Sequence, residues 1–144
     1  MITRRRLLFS SLALTLSGCA ARGPASTDVA LTINGAADMN GGAPVEVKVM
    51  YLTDANAFRT ADFFALFGTP EATLGADLIS TQSFLVTPNT ALTDARSFAQ
   101  PPAAIGVIAA FRDITGTFRA TRGLTPDAPN PVTVTLSGNR ALIR

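Results

Sequence analysis

Cys19 is the residue whose chemistry can be assigned most directly from its type and position. It is the only cysteine among 144 residues, and the chain contains no histidine. The thiol follows an apolar stretch, 7–16, which itself follows the basic cluster 4–6. A basic region, an apolar region of about ten residues and a zone of small residues are typical of a secretory signal peptide. An unpaired thiol is a liability in an oxidising compartment, so we expect Cys19 to be consumed in a thioether.

The run Leu16-Ser17-Gly18-Cys19 resembles a bacterial lipobox. In that pattern the cysteine sulfur carries diacylglycerol, the peptide is cut before the cysteine, and the new amine is acylated. The sequence therefore predicts a lipoprotein signal peptide over 1–18 and a covalent lipid on Cys19, with no other cofactor.

Two other interpretations of this N-terminus stay open. An uncleaved membrane anchor would need roughly 20 apolar residues, and the apolar run is shorter. A conventionally cleaved secreted protein would make the cysteine incidental. The three arginines suit either a twin-arginine signal or an ordinary export signal.

Removal of the signal peptide changes the charge balance. The whole chain has 12 Lys+Arg against 10 Asp+Glu, a formal net charge of +2. Three of the arginines lie in the predicted signal, so the chain from Cys19 onward has nine basic and ten acidic residues and a charge of −1. Since no basic patch survives, we exclude nucleic acid as the partner.

The residue types that remain argue against an enzyme. Without histidine the chain lacks the commonest general base and metal ligand. With Cys19 lipidated, no thiolate is left for a metal or for nucleophilic attack. The carboxylates are scattered singly, and the chain has no nucleophile elbow, P-loop or dinucleotide motif. We expect a binding or structural module with no catalytic or metal site.

The predicted organisation is a flexible, lipidated tether, 19–27, followed by a single domain, 28–144. A run that is apolar on both faces, 104–111, indicates a central strand covered on both sides. Residues 93–100 are expected to be weakly structured. Other short strands are predicted at 29–33, 45–52, 79–86, 117–121, 132–136 and 140–144. Six or seven short strands favour an antiparallel β-sandwich.

One helical insertion is predicted after the second strand. Residues 56–67 have helical propensity, and glycine and proline follow directly. Phe63, Leu66 and Phe67 share one helix face, so we expect them to pack on the sheet and not to form a ligand site. A second short helix is expected over 71–78.

The segment between the first two strands is the candidate binding element. Residues 34–44 contain three glycines, two asparagines and a proline, which predicts a loop longer than a tight hairpin turn. Met39 is its only large apolar side chain. Either the segment is a solvated connection with Met39 folded back on the core, or it is a presented binding loop with Met39 as an adaptable contact.

Arg112 and Asp113 end the central apolar strand. Adjacent residues of an extended chain point to opposite faces, so these two side chains cannot easily act on one atom. We expect structural roles for both, with Arg112 paired to a carboxylate near the helix.

Four segments carry a more specific pattern: the strand-loop-strand 31–45, the strand 47–52, the helix 58–66 and the stretch 105–114. Following a lipobox, they resemble the type VI secretion system outer-membrane lipoproteins, the TssJ or VasD-like family. The resemblance implies a mainly β, transthyretin-like antiparallel β-sandwich with a small helical insertion after the second strand. It also implies a lipoprotein on the periplasmic face of the outer membrane that tethers the TssM-type inner-membrane subunit through the C-terminal periplasmic domain of that subunit.

In that family the loop joining the first two strands docks the partner. Carried over to this chain, the loop implies the partner-binding residues Asn34, Gly35, Ala36, Ala37, Asp38, Met39, Asn40, Gly41, Gly42, Ala43 and Pro44. The loop is shorter and richer in glycine than the family pattern, and Phe118-Arg119 stands where the family usually has Trp-Arg. Ala20 is not the aspartate that commonly retains lipoproteins at the inner membrane, which favours outer-membrane sorting. The alternative function is a lipid-anchored periplasmic enzyme or small-ligand carrier that uses a cleft of the sandwich.

Overall fold

A computed structural model describes residues 25–144, which build a β-sandwich of two four-stranded sheets. The predicted signal peptide and the lipid site at Cys19 lie outside the described residues. The strands are β1 (Thr27–Gly35), β2 (Val45–Leu52), β3 (Leu78–Val86), β4 (Thr90–Phe98), β5 (Ala104–Ala109), β6 (Arg119–Gly123), β7 (Pro129–Ser137) and β8 (Arg140–Ile143).

The two sheets have the strand orders β4-β1-β7-β8 and β3-β2-β5-β6. Neighbouring strands run antiparallel except for the parallel pair β1 and β7. Three short helices follow β2: α1 (Asn56–Thr60), α2 (Phe63–Gly68) and α3 (Pro70–Leu74), with a 3-10 turn at Gly75–Asp77. The predicted mainly β sandwich with a helical insertion after the second strand is confirmed.

The main core lies between the sheets, because alternate residues of each strand point inward. From β2 the buried residues are Val45, Val47, Val49 and Tyr51. From β1 they are Val29, Leu31 and Ile33. Burial of each such aliphatic side chain stabilises the fold by about 1.5–3 kcal/mol.

A second core lies on the outer face of the sheet that contains β2 and β5, under the helices. Its buried strand residues are Met50, Leu52, Ala104 and Ile108. The helical insertion covers them with Ala55, Phe58, Leu66 and Leu74. All six residues of β5 are buried. The prediction of a central strand covered on both sides is therefore confirmed, although the strand ends two residues earlier than expected.

The predicted single helix over 56–67 is wrong in its middle. Ala61 adopts an extended conformation (φ −67°, ψ 150°) and ends α1. The Asp62 carboxylate then accepts a hydrogen bond from the Ala65 N–H at 3.1 Å, as an N-cap residue does. The cap starts α2, whose Phe63 and Phe67 rings stack with centroids 5.4 Å apart. The hydrophobic residues keep a helical spacing of 3.6 residues across the break, so the sequence pattern does not show that the Asp62 cap interrupts the helix there.

The expectation of a weakly structured segment at 93–100 is also wrong, because β4 pairs with β1 over nine positions. The inward side of β4 mixes apolar and charged residues: Leu92, Asp94, Arg96 and Phe98. With its amide oriented to suit both neighbours, Gln82 of β3 donates to the Asp94 carboxylate at 3.0 Å and accepts from Arg96 at 3.0 Å. These inward-pointing charges hide the alternation of apolar and polar residues by which a strand is predicted. The described part of the chain therefore has eight strands, where six or seven were expected.

We predict that the backbone of β5 tolerates no side chain at Gly106. A Cβ there would lie 2.8 Å from Cζ of the buried Phe58 ring. Gly106→Ala should therefore lower the free energy of unfolding by about 1–3 kcal/mol, measured by urea titration. Gly123→Ala is the control, because its Cβ would meet nothing closer than the Ala103 carbonyl at 4.0 Å. Equal destabilisation by the two substitutions would contradict the packing described for β5.

Candidate docking surface

Four connections meet at one end of the sandwich, which we call the loop end. They are residues 36–44, 87–89, 110–118 and 138–139. Strand register brings them together, since Gly35 lies opposite Thr90 and Leu136, and Val45 lies opposite Val86. Thr27 pairs with Phe98 at the other end, which we call the tether end. β1 has nine residues, so at about 3.3 Å per residue its two ends are about 26 Å apart.

The candidate loop is more ordered than its composition predicts. β1 continues through Asn34 to Gly35, and Met39–Gly42 form a 3-10 turn in which Asn40 and Gly41 have left-handed dihedral angles. The expectation of an irregular loop over the whole of 34–44 is therefore wrong at 34–35, which belong to β1, and at 39–42, which form the 3-10 turn. Only glycine fits at position 35, because a Cβ there would lie 2.5 Å from the Thr87 carbonyl oxygen and 2.7 Å from the Met39 sulfur.

Met39 is folded back into the main core and is 0% exposed. The sequence left open whether Met39 packs on the core or contacts a partner, and the structure shows that it packs on the core. Its thioether fills the space between the sheets and is not presented at the surface. Five of the proposed partner-binding residues are exposed, and Asn34, Ala36 and Ala43 are half-buried. The exposed residues are Ala37, Asp38, Gly41, Gly42 and Pro44.

Asn40 fixes the loop to the two neighbouring connections. Its Oδ1 accepts a hydrogen bond from the Arg112 backbone N–H at 2.8 Å, and its Nδ2 donates to the Pro44 carbonyl at 3.2 Å. Its backbone N–H donates to the Gly138 carbonyl at 2.7 Å. Asn40 is only 8% exposed, and asparagine tolerates its left-handed conformation (φ 48°, ψ 37°) better than most residues. Three connections therefore form one rigid surface.

A cleft of about 350 Å³ opens where these connections meet. The residues that line it are Asn40, Gly41, Arg112, Asp113, Gly138 and Asn139. The Asp113 carboxylate accepts hydrogen bonds from the Thr115 hydroxyl at 2.6 Å and the Thr115 N–H at 2.9 Å. These bonds from Thr115 hold the pKa of the Asp113 carboxyl below its usual range. Asp113 is therefore anionic, and its charge is already hydrogen-bonded within the loop.

The expected pairing of Arg112 with a carboxylate near the helix is wrong. Arg112 lies at the loop end and is exposed. The arginine that reaches the helices is Arg119, whose Nη1 donates to the Phe58 carbonyl at 2.8 Å and to the Ala61 carbonyl at 2.5 Å. It satisfies carbonyl groups at the end of α1, which a helix leaves unpaired. Arg119, and not Arg112, therefore contacts the helical insertion, and its partners are carbonyl oxygens and not a carboxylate.

The sequence does not predict that the other lining residues of the cleft lie together. From the sequence, Arg112 and Asp113 are predicted only to end a strand, and Gly138 and Asn139 only to lie between the predicted strands 132–136 and 140–144. No local pattern joins these residues, because about 70 residues of chain separate Asn40 from Arg112. The glycine-rich composition of 34–44 was the one signal that pointed to this end of the sandwich.

Residues 25–144 contain no histidine and no cysteine. In this range no group of three or more acidic, histidine or cysteine side chains could hold a metal ion. Burial raises the pKa of Tyr51, the only tyrosine, to about 12, so its hydroxyl stays protonated at neutral pH. No helix between 25 and 144 is both long enough and apolar enough to cross a membrane.

Comparison with known families gives a match over most of this fold. The model of the family described as type VI secretion lipoprotein, with the members VasD, EvfM and TssJ, matches residues 27–139. The chain belongs to the type VI secretion lipoprotein family. The resemblance drawn from the strand, loop and helix segments of the sequence is confirmed. A comparison with curated protein sequences finds no match.

Solved structures of type VI secretion proteins are similar to this member of the family. The crystal structure of the T6SS lipoprotein TssJ1 from Pseudomonas aeruginosa is 27% identical, with a TM-score of 0.78, over 82% of this chain and 95% of that chain. A chain of a structure described as the type VI membrane complex is 25% identical, with a TM-score of 0.71, over 82% and 98%. A chain of a structure described as the TssM C-terminal domain from EAEC is 26% identical, with a TM-score of 0.64, over 81% and 99%.

We predict that the Asn40 side chain stabilises the loop end measurably. Asn40→Gly keeps the left-handed backbone accessible but removes both side-chain hydrogen bonds and leaves the Arg112 N–H without its partner. The free energy of unfolding should fall by about 1–3 kcal/mol, as measured by thermal or urea denaturation.

Asn89→Gly is the matched control for this substitution. Asn89 also has a positive φ of 58°, but it is exposed in the β3–β4 turn and its side chain has no hydrogen bond among the described residues. Its replacement should change the stability by less than about 0.5 kcal/mol. A loss of similar size in both variants would show that backbone conformation, and not the Asn40 network, decides the effect.

Proposed function

We propose that this type VI secretion lipoprotein is anchored in the outer membrane by lipid on Cys19 and docks the C-terminal periplasmic domain of the TssM-type inner-membrane subunit through the loop 34–44. In this role it tethers that subunit to the outer membrane within the secretion system's membrane complex. Family membership supports the proposal, as does the likeness to chains of structures described as the membrane complex and as the TssM C-terminal domain.

The observation that carries the proposal is the separation of the two ends of β1. The predicted tether enters at Thr27, whereas the candidate loop leaves β1 after Gly35, about 26 Å away. A lipid at Cys19 would hold the tether end towards the membrane. The loop end would then project away from the outer membrane, towards a partner that spans the periplasm.

The anchor itself follows from the energetics of acyl chains. Each buried methylene group contributes about 0.8 kcal/mol, and a single myristoyl chain gives only marginal, reversible binding. A diacylglycerol thioether and an acylated amine together place several chains in the bilayer, so attachment is effectively permanent. A protein held in this way meets its partner at a raised effective concentration, and a modest intrinsic affinity is enough for docking.

The docking surface within the loop is the exposed set Ala37, Asp38, Gly41, Gly42 and Pro44. The buried members of the loop, Gly35, Met39 and Asn40, hold this set in place. Since their hydrogen bonds and packing already order the backbone, docking loses less conformational entropy than a flexible loop would. The loop therefore contains buried residues that support its backbone and exposed residues that contact the partner.

We predict that Ala37→Arg weakens partner binding at least about tenfold, because a large charged side chain would stand on the contact surface. Ala99→Arg is the matched control: Ala99 is also exposed but lies after β4, at the tether end. Affinity for the purified TssM-type periplasmic domain can be measured by biolayer interferometry. Point substitution is preferable to deletion of 34–44, because deletion would also remove Met39 from the core.

Two results would overturn the docking proposal. One is unchanged affinity in Ala37→Arg, and the other is an equal loss in Ala99→Arg. Circular dichroism of both variants should match the wild-type spectrum, which separates a lost contact from a lost fold.

The anchor has its own test. Cys19→Ser should release the protein from the membrane fraction into the soluble periplasmic fraction, because no thioether can form. The released domain should still bind the partner's periplasmic domain, yet the secretion complex should not assemble. Continued fractionation of the variant with the outer membrane would contradict lipid attachment at Cys19.

A further inference from the structure

We propose that Arg112 anchors a carboxylate side chain of the partner subunit in the cleft beside the docking loop. This inference rests on the proposed function, and it adds a named contact outside the loop 34–44. It places part of the partner recognition on the β5–β6 connection, which lies about 70 residues after the docking loop in the sequence.

The position of Arg112 is fixed by the loop that is proposed to dock. Its backbone N–H donates to the buried Asn40 side chain at 2.8 Å, and Asn40 in turn donates its own N–H to Gly138. The Arg112 side chain therefore starts from a rigid point at the mouth of the cleft. Any partner that covers the exposed residues of the loop also lies next to this cleft, because Gly41 lines both surfaces.

Three of the other polar groups around the cleft are already hydrogen-bonded. Both ends of the Asn40 amide are occupied, by Arg112 and Pro44. Oδ1 of Asp113 accepts two bonds from Thr115. The Gly138 carbonyl accepts from Asn40. In residues 25–144, by contrast, the structure gives the Arg112 guanidinium no hydrogen bond, ion pair or aromatic partner.

The chemistry of this free group selects an anion with two oxygens. A guanidinium presents five N–H donors in a planar fork that matches a carboxylate. Thr115 holds Oδ1 of Asp113 within its own connection, whereas no donor of the Arg112 guanidinium has a partner in residues 25–144. A docked partner would exclude water from the cleft, and a charge-assisted pair gains strength in such a setting. Arginine is also over-represented among residues that dominate binding energy at interfaces.

The test compares variants of the lipidated full-length protein, purified in detergent, for binding to the partner's C-terminal periplasmic domain. Arg112→Glu should weaken binding roughly tenfold to a hundredfold, because it sets two like charges against each other. Arg112→Lys should recover only part of the affinity, since an ammonium group cannot form the two parallel bonds. Arg59→Glu is the control: Arg59 is exposed on α1, away from the loop end, and its replacement should change affinity less than twofold.

The outcomes separate this inference from the proposed function. If Ala37→Arg weakens binding and Arg112→Glu does not, the docking loop stands and the role of Arg112 is wrong. If neither weakens binding, both are wrong. An acidic-to-lysine substitution in the partner domain that restores binding to Arg112→Glu, and does not restore it to Ala37→Arg, would identify the carboxylate. If full affinity of Arg112→Lys accompanies the loss in Arg112→Glu, the two-oxygen contact is wrong.

Discussion

The fold depends on the burial of β2 on both faces. Its inward valines and Tyr51 belong to the core between the sheets, while Met50 and Leu52 lie under the helical insertion. Lys48, also on the outer face, reaches the end of α2, where its ammonium group donates to the Phe67 carbonyl at 2.5 Å and lies 4.5 Å from the centre of the Phe67 ring. A strand fixed from two sides gives the loop before it and the helices after it a rigid reference.

Much of this arrangement could be predicted from the sequence where one interaction dominates. In β2 the burial of side chains produces clear alternation, and in β5 it produces a continuous apolar run. β2 has the expected bounds, and β5 begins where expected but ends two residues earlier. In β4 the pairing with β1 dominates, and the charged Asp94 and Arg96 conceal it. The break between α1 and α2 depends on one capping carboxylate, Asp62, and a hydrophobic period does not report such a cap.

The candidate site shows the same limit. The composition of 34–44 was enough to predict a long connection between the first two strands, but not to decide whether Met39 faces the core or a partner. That choice depends on the space beside Gly35, which other strands create. The assignment of Arg112 and Arg119 was also a question of tertiary geometry, because each lies in a short polar sequence that could reach the helices. The hydrogen bonds of Asn40 and Arg119 decide it.

The path of β1 has a mechanical consequence. In the proposed arrangement the membrane would hold one end of this strand and the partner would hold the other, so tension between them would run along its axis. β1 is the second strand of its sheet, bonded to β4 on one side and β7 on the other. Its hydrogen bonds lie across the pulling direction, so they would be loaded in shear and would have to break together. That geometry resists extraction far better than an edge strand that is peeled away one bond at a time.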